Sequence, residues 1–293
     1  MRYEGNIFRP PSEAYSFLLQ CTVGCSYNKC TFCYMYKDKK FRIRNIDEIK
    51  TDIRMAKLYY GPEVQKVFLC DGDALCLSTE SLVEIIQYLY ANFPHLKHVG
   101  AYAGPHSILR KSIDELKKLK EAGLTIGYLG VETGNDKVLK QIKKGVTAEE
   151  MREAGMKFRK AGMKLSTMVI LGIAGRGEDS LNHARDTGKI LSEIDPEYAA
   201  ALTLRLKPGT ELTKQATEGI VEIPNQWELL QEMKEIVVNM NVSNCVFRSN
   251  HASNHLPVKG HLPEDKEQLL VFIDEIIKCK DDRYIRPEFM REL

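Results

Sequence analysis

The chain has 293 residues, 43% of them apolar and 28% charged, a composition that excludes disorder, collagen-like repeats and a pure coiled coil. A chain this long buries roughly three quarters of its unfolded surface, so its core needs no disulfide or metal staple. Lys and Arg number 42 against 40 Asp and Glu, a formal net charge of +2. That is not the basic excess of a protein living on phosphate contacts, and nucleic acid is not expected as a partner. Apolar runs such as 168–175 fall far short of the roughly 18 residues of a membrane span. The start, MRYEGNIFRPPSEAY, carries charge and a Pro pair where a signal peptide needs a continuous apolar stretch. A cytoplasmic protein is expected, its eight cysteines reduced and serving as ligands or buried apolar residues.

Short apolar runs alternate with longer segments of helical period. The runs are 16–20, 66–70, 98–102, 125–130, 165–172 and 198–204, and the helices are expected near 46–60, 79–92, 112–122, 147–161 and 178–192. This rhythm predicts an α/β fold with a parallel sheet and crossover helices, and it suits a partial barrel or a doubly wound sheet. From 225 the rhythm changes. Trp227, Leu230, Met233, Val237 and Met240 recur at helical spacing, 246–249 reads as a strand and 264–279 as a helix. Trp227 is expected in the core. In parallel α/β folds chemistry gathers at the C-terminal ends of strands.

Directly after the first strand stands CTVGCSYNKCTFC, with cysteines at 21, 25, 30 and 33. Zinc sites prefer two close pairs separated by a longer excursion, whereas iron–sulfur clusters accept closely spaced cysteines. The loop, its place after the first strand and Phe32 just before Cys33 resemble the radical SAM (S-adenosylmethionine) superfamily. The usual motif there is Cys, three residues, Cys, two residues, Cys. In this chain the spacing is Cys25, four residues, Cys30, two residues, Cys33, and Ser26 holds the position of the usual first cysteine. The resemblance extends from about residue 14 to about 260 and looks closest to compact members such as the oxygen-independent coproporphyrinogen dehydrogenase and Elongator-type proteins. It implies a [4Fe–4S] cluster on Cys25, Cys30 and Cys33 with one iron open for S-adenosylmethionine. Cys21 is read as a buried thiol, with a fourth ligand as the alternative.

The other strand ends take their expected roles from the same resemblance. Asp71, Gly72 and Asp73 would receive the amino group of S-adenosylmethionine, the alternative being helix caps. Glu132 would accept from the ribose hydroxyls and Lys144 would meet the methionine carboxylate. Ile170 and Gly172 would contact the adenine, with Phe32 lining the cluster loop. The glycines at 172, 175 and 177 are in the wrong order for a dinucleotide fingerprint. The basic run 36–44 would face an acidic electron donor such as flavodoxin or ferredoxin, or plain solvent. Arg248, His251 and Asn254 would touch substrate, or else satisfy loop backbone groups. Cys70, Cys76, Cys245 and Cys279 are scattered, so no second cluster is expected.

The expectation is therefore an N-terminal extension (1–14), a partial (β/α)6 TIM-like barrel (15–218) and a mainly helical C-terminal cap (219–293). Its activity would be reductive cleavage of S-adenosylmethionine to a 5′-deoxyadenosyl radical that abstracts hydrogen from a small-molecule substrate. The rivals are an oxidative decarboxylase resembling coproporphyrinogen dehydrogenase and a non-catalytic zinc protein using all four loop cysteines.

Overall fold

The computed structural model describes residues 2–291. The chain forms two compact units. The first comprises Met1–Asn28, Met35–Leu129 and Lys157–Leu165; the second comprises Lys29–Tyr34, Gly130–Met156 and Ser166–Leu293. Residues 219–293, expected as a cap, lie in the second unit together with 166–218.

In the first unit β1 (Phe17–Gln20), β2 (Thr22–Val23), β3 (Arg42–Ile43), α1 (Ile46–Tyr60), β4 (Lys66–Cys70), α2 (Thr79–Asn92), β5 (His98–Tyr102), α3 (Pro105–Arg110) and α4 (Ile113–Ala122) follow in order, and β6 (Ile126–Glu132) begins there. β4 runs parallel to β1, with Val67 opposite Phe17, and parallel to β5, with Lys66 opposite His98. β5 in turn pairs in parallel with β6, Gly100 opposite Ile126. β2 and β3 form a separate antiparallel pair. Val67, Phe68 and Leu69 are all fully buried, as expected when crossover helices cover both faces of a parallel sheet. α1 buries Ile49, Ile53 and Ala56, and α2 buries Leu82, Ile85, Ile86 and Leu89. Those positions recur every three or four residues and so share one helix face. Asn45 with Glu48 and Ser112 with Glu115 form capping boxes that start α1 and α4.

The second unit holds the end of β6, α5 (Asp136–Gln141), most of α6 (Ala148–Lys160) and of β7 (Lys164–Leu171), then α7 (Glu178–Ile194), β8 (Tyr198–Thr203), α8 (Glu211–Thr217), α9 (Gln226–Asn239), β9 (Cys245–Arg248), β10 (Lys259–Leu262) and α10 (Lys266–Cys279). β7 pairs in parallel with β8 and β8 with β9, while β10 returns antiparallel to β9. Within α9, Leu229, Leu230, Met233, Ile236 and Val237 are buried, but Trp227 is only half-buried in the first turn. The expected inward positions Leu230, Met233, Val237 and Met240 are buried, and Trp227 falls short of the core because it lies in the first turn after the cap at Asn225.

The expected strands and long helices are all present, and the α/β class stands. Three short helices, α3, α5 and α8, and the short strands β2, β3 and β10 were not expected. Six or seven residues span under two turns, too few to show a helical period.

At the start of the first unit's strands, Glu13 is buried at 1% exposure. Its Oε1 meets His98 Nε2 at 2.9 Å and accepts from the Tyr128 hydroxyl, while Oε2 accepts from Ser16 Oγ at 2.5 Å. Burial pushes the carboxyl up, but the hydrogen bonds from His98, Ser16 and Tyr128 outweigh it and hold the pKa below the ordinary 4.5. A group whose pKa is depressed by folding contributes stability above its unfolded pKa and loses it as pH falls through the folded value. In denaturant melts Glu13→Gln should therefore be less stable than the wild type at pH 7, with the gap closing as pH drops below about 4.5. A gap constant down to pH 3 would contradict this ionised, bonded state of Glu13.

Candidate active site

The cysteine loop of the first unit leaves β1 at Gln20 and is tied to the end of β4. Cys21 N–H donates to Cys70 O at 2.6 Å, Asp71 N–H to Thr22 Oγ1 at 3.0 Å, and Gly72 N–H to Gly24 O at 3.2 Å. Asp71 is already engaged by the loop. It is fully buried, and Oδ2 alone accepts from Lys39 Nζ (2.8 Å), Gln20 Nε2 (2.9 Å) and Gly24 N–H (3.0 Å). Oδ1 is buried with no hydrogen-bond partner among the described residues. Asp71 braces the loop through Oδ2, and its remaining acceptor positions lie on the fully buried Oδ1.

Lys39 also corrects the reading of the basic run. Its ammonium is buried with Asp71, Arg44 is buried in an ion pair with Asp52 at 2.7 Å, and Arg42 bonds Glu4 and Glu48. Two of the run's five basic residues, Lys39 and Arg44, are thus internal bracing rather than a solvated face.

Gly72 sits where no side chain fits. A Cβ there would lie 2.7 Å from the Tyr36 ring and 2.8 Å from Cys25 Cβ, so glycine lets the backbone after β4 approach Cys25. Asp73 is 3% exposed. Its Oδ2 accepts from Ser26 Oγ (2.8 Å) and Ser107 Oγ (2.5 Å), and Oδ1 from Gly104 N–H (3.0 Å). A carboxylate has about four lone-pair sites, so one acceptor position on Oδ1 remains. Ser26, at the place of the family's usual first cysteine, is bonded to Asp73 beside Cys25.

The four loop cysteines differ. Cys21 is fully buried, its Sγ donates to Leu19 O at 3.6 Å, and burial pushes its thiol up to about 12. A metal ligand must be a thiolate, and the burial of Cys21 disfavours that form. Cys25, Cys30 and Cys33 are part-exposed. Cys70 is fully buried, and its thiol is raised well above the usual value, first by burial and then by Asp71.

In the second unit, the Cys30–Cys33 turn hangs on backbone and one aromatic ring. Thr31 N–H donates to Ile142 O and Leu212 N–H donates to Thr31 O, both at 3.0 Å. Phe32 packs on Val138, Ile142, Ile173, Leu204 and Leu212, with the half-buried Ile170 beside it. The aromatic before the last cysteine thus anchors its turn in the core.

Glu132 ends β6 with φ at +64°, a left-handed conformation that costs an L-residue roughly 1–2 kcal/mol. Its Oε1 accepts from Lys144 Nζ at 2.7 Å, with both side chains largely buried. Two residues expected separately at the cosubstrate are thus one ion pair. Gly172 follows β7 with φ at +81°, and its N–H donates to Glu232 Oε1 at 2.6 Å. Glu232 was missed, since a lone glutamate on an apolar helix face gives no signal in a single sequence.

The loop 249–256 resolves the remaining candidates. Asn254 is buried, Nδ2 donating to Ala201 O and Ser249 O while Oδ1 accepts from Thr203 Oγ1. Both of its amide protons go to backbone carbonyls, as in the reading that it satisfies loop backbone groups. His251 Nδ1 pairs with Ser253, and burial, reinforced by Arg286, holds the imidazole below its usual pKa. Arg248 is half-buried, and its Nε has no partner among the described residues.

Comparison with known proteins agrees with this layout. Residues 19–187 match the radical SAM superfamily profile. The chain is 26% identical over 208 residues to the heme chaperone HemW of Bacillus subtilis, covering 69% of this chain and 53% of that protein. Coproporphyrinogen III oxidase (HemN) from Escherichia coli superposes with a TM-score of 0.56 at 15% identity, over 76% of this chain and 51% of the other. The archaeal Methanocaldococcus infernus Elp3 gives 0.52 at 15% identity, over 90% and 63%. The structural likenesses establish the fold, the expected α/β partial barrel. The chain spans about half the length of the curated relatives it matches. No helix among the described residues is long and apolar enough to cross a membrane.

The strained glutamate gives a direct test. Glu132→Gly and Glu132→Ala both lose the Lys144 pair, but only glycine accepts the left-handed backbone freely. Denaturant melts should find Glu132→Gly more stable than Glu132→Ala by about 1 kcal/mol. Equal stabilities would mean that the positive φ is absent in solution.

Proposed function

The chain belongs to the radical SAM superfamily, whose cofactors are a [4Fe–4S] cluster and S-adenosylmethionine, and from that premise we propose that it cleaves S-adenosylmethionine to generate a substrate radical. When bound, the cluster supplies the electron that breaks the sulfonium and releases the 5′-deoxyadenosyl radical. The donor set fits that group. Cys25, Cys30 and Cys33 are the part-exposed thiols of the loop and would hold the cluster, whereas Cys21 is sealed and protonated. Three thiolates leave one iron open, as a catalytic centre requires.

The remaining assignments concern the cosubstrate. The spare acceptor position of Asp73 and the backbone at Gly72 would receive the amino group. Glu132 would accept from the ribose hydroxyls, while Lys144 turns toward the carboxylate. Ile170 and the Gly172 turn would border the adenine. The single observation that carries the reading is Glu132: left-handed, largely buried and paired with Lys144 at the C-terminal end of its strand. Strained conformations of this kind persist where function repays them. Substrate would be a small molecule, the electron donor a flavodoxin or ferredoxin, and the setting a reducing cytoplasm. The zinc alternative needs Cys21 as a thiolate, and its burial speaks against that. For a porphyrinogen decarboxylase the carboxylate-binding arginines are few, since Arg205 is engaged with Glu288.

Two measurements test the reading. Singly changing Cys25, Cys30 or Cys33 to Ala should remove most iron and sulfide from the reconstituted protein, while Cys21→Ala should retain them; equal loss in Cys21→Ala would restore the four-cysteine site. Glu132→Ala should keep its iron and brown colour. It should, however, need roughly tenfold to hundredfold more S-adenosylmethionine to shift the cluster's electron paramagnetic signal, the equivalent of a lost charge-assisted hydrogen bond of about 1.5–3 kcal/mol. The exposed Glu121→Ala in α4 serves as control, and parity between the two variants would refute the role of Glu132.

A further inference from the structure

His183 in α7 and Glu232 in α9 are ionisable side chains at 0% exposure, with His183 Nε2 and Glu232 Oε1 3.3 Å apart. Desolvating such a pair is expensive, and apolar replacements of equal volume are often as stable or more so. Stability is therefore a poor reason for its presence, and its outward contacts supply a better one.

Each partner reaches a different strand end. Glu232 Oε1 accepts from Gly172 N–H just after β7, and Oε2 accepts from Ser180 Oγ. His183 Nδ1 lies 2.7 Å from Oγ1 of Thr133, the residue that follows Glu132. The next residue, Gly134, donates its N–H to Thr187 Oγ1, itself 3.3 Å from the same ring nitrogen. Thr133 Oγ1 already accepts from Asn135 N–H, and its proton is left for His183 Nδ1. With Nδ1 accepting, a ring proton on Nε2 faces Glu232 Oε1 across 3.3 Å, although Nε2 completes no hydrogen bond among the described residues. Glu232 accepts from Gly172 N–H and Ser180 Oγ, and the imidazole stands against it as the third polar group.

We propose that the His183–Glu232 pair is a positioning device for the cosubstrate, setting the spacing between Glu132 and the Gly172 turn. The proposal rests on the cosubstrate roles given above to Glu132 and Gly172. It predicts that affinity for S-adenosylmethionine, and not occupancy of the cluster, depends on the pair. Glu232 lies in α9, within the segment expected as a cap. That segment therefore acts on the cosubstrate through one carboxylate without touching it.

The test titrates S-adenosylmethionine into the reduced, reconstituted full chain, following the electron paramagnetic signal, with iron content and melting temperature measured alongside. Glu232→Leu should keep its iron yet bind at least about tenfold more weakly, as expected when a buried charge-assisted network is cut. Glu232→Gln retains an acceptor for Gly172 N–H and should fall between. Ile236→Ala, a fully buried neighbour in α9, should lower the melting temperature through its cavity but keep the wild-type affinity within about twofold. Wild-type affinity in Glu232→Leu overturns the proposal, and so does equal weakening in Ile236→Ala at equal loss of melting temperature. Should Glu232→Leu not fold, Glu232→Gln against Ile236→Ala decides alone, and wild-type affinity in Glu232→Gln overturns it. Glu132→Ala in the same series separates the two levels. If it also binds normally, the cosubstrate reading fails; if it alone is weakened, only the positioning role fails.

Discussion

One carboxylate oxygen organises the start of the site. Asp71 Oδ2 gathers an ammonium, a side-chain amide and a backbone N–H from three separate stretches of chain. Lys39 brings the segment after the cysteine loop, Gln20 the end of β1, and Gly24 the residue before Cys25. Taking a full charge pair out of water is costly, and each of these donors offsets part of that cost. A backbone that wandered at Gly24 would leave the aspartate short of a donor. The loop bearing Cys25 is in this way held by electrostatics where a loop of small residues has little apolar surface to hold it.

Burial then sorts the cysteines. Cys21 and Cys70 are fully buried, which pushes their thiols up, while Cys25, Cys30 and Cys33 keep access to solvent. The same four-cysteine pattern in sequence thus holds two environments, which spacing alone does not separate. Asp71 and Asp73 divide similarly across Gly72. One is sealed against a lysine, and the other is bonded by hydroxyls and an amide with an acceptor position to spare.

Much of this was legible beforehand. Strand runs such as 66–70 and 98–102 are apolar because both faces are covered, and long helices such as α1 and α2 show their period plainly. The cysteine loop, Phe32 and Glu132 stood out because strand ends are where function concentrates. What escaped notice has a common cause. Lys39, Glu232 and His183 are polar residues turned inward, and a single sequence reads polar residues as solvated. Only the fold reveals that Lys39 meets Asp71 or that Glu232 meets Gly172. The half-buried Trp227 is the converse, a large apolar residue assigned inward by its helical spacing and left partly exposed in the first turn of its helix.

The hydrogen bonds of Thr31 carry a temporal consequence. Its amide waits for the carbonyl of Ile142, and its carbonyl waits for the amide of Leu212. At synthesis rates of about 5–20 residues per second, the stretch from Thr31 to Leu212 takes on the order of 10 to 40 s to make. Until then the turn carrying Cys30 and Cys33 lacks one of its two native backbone anchors. The turn therefore reaches its native shape only long after its own cysteines have been made.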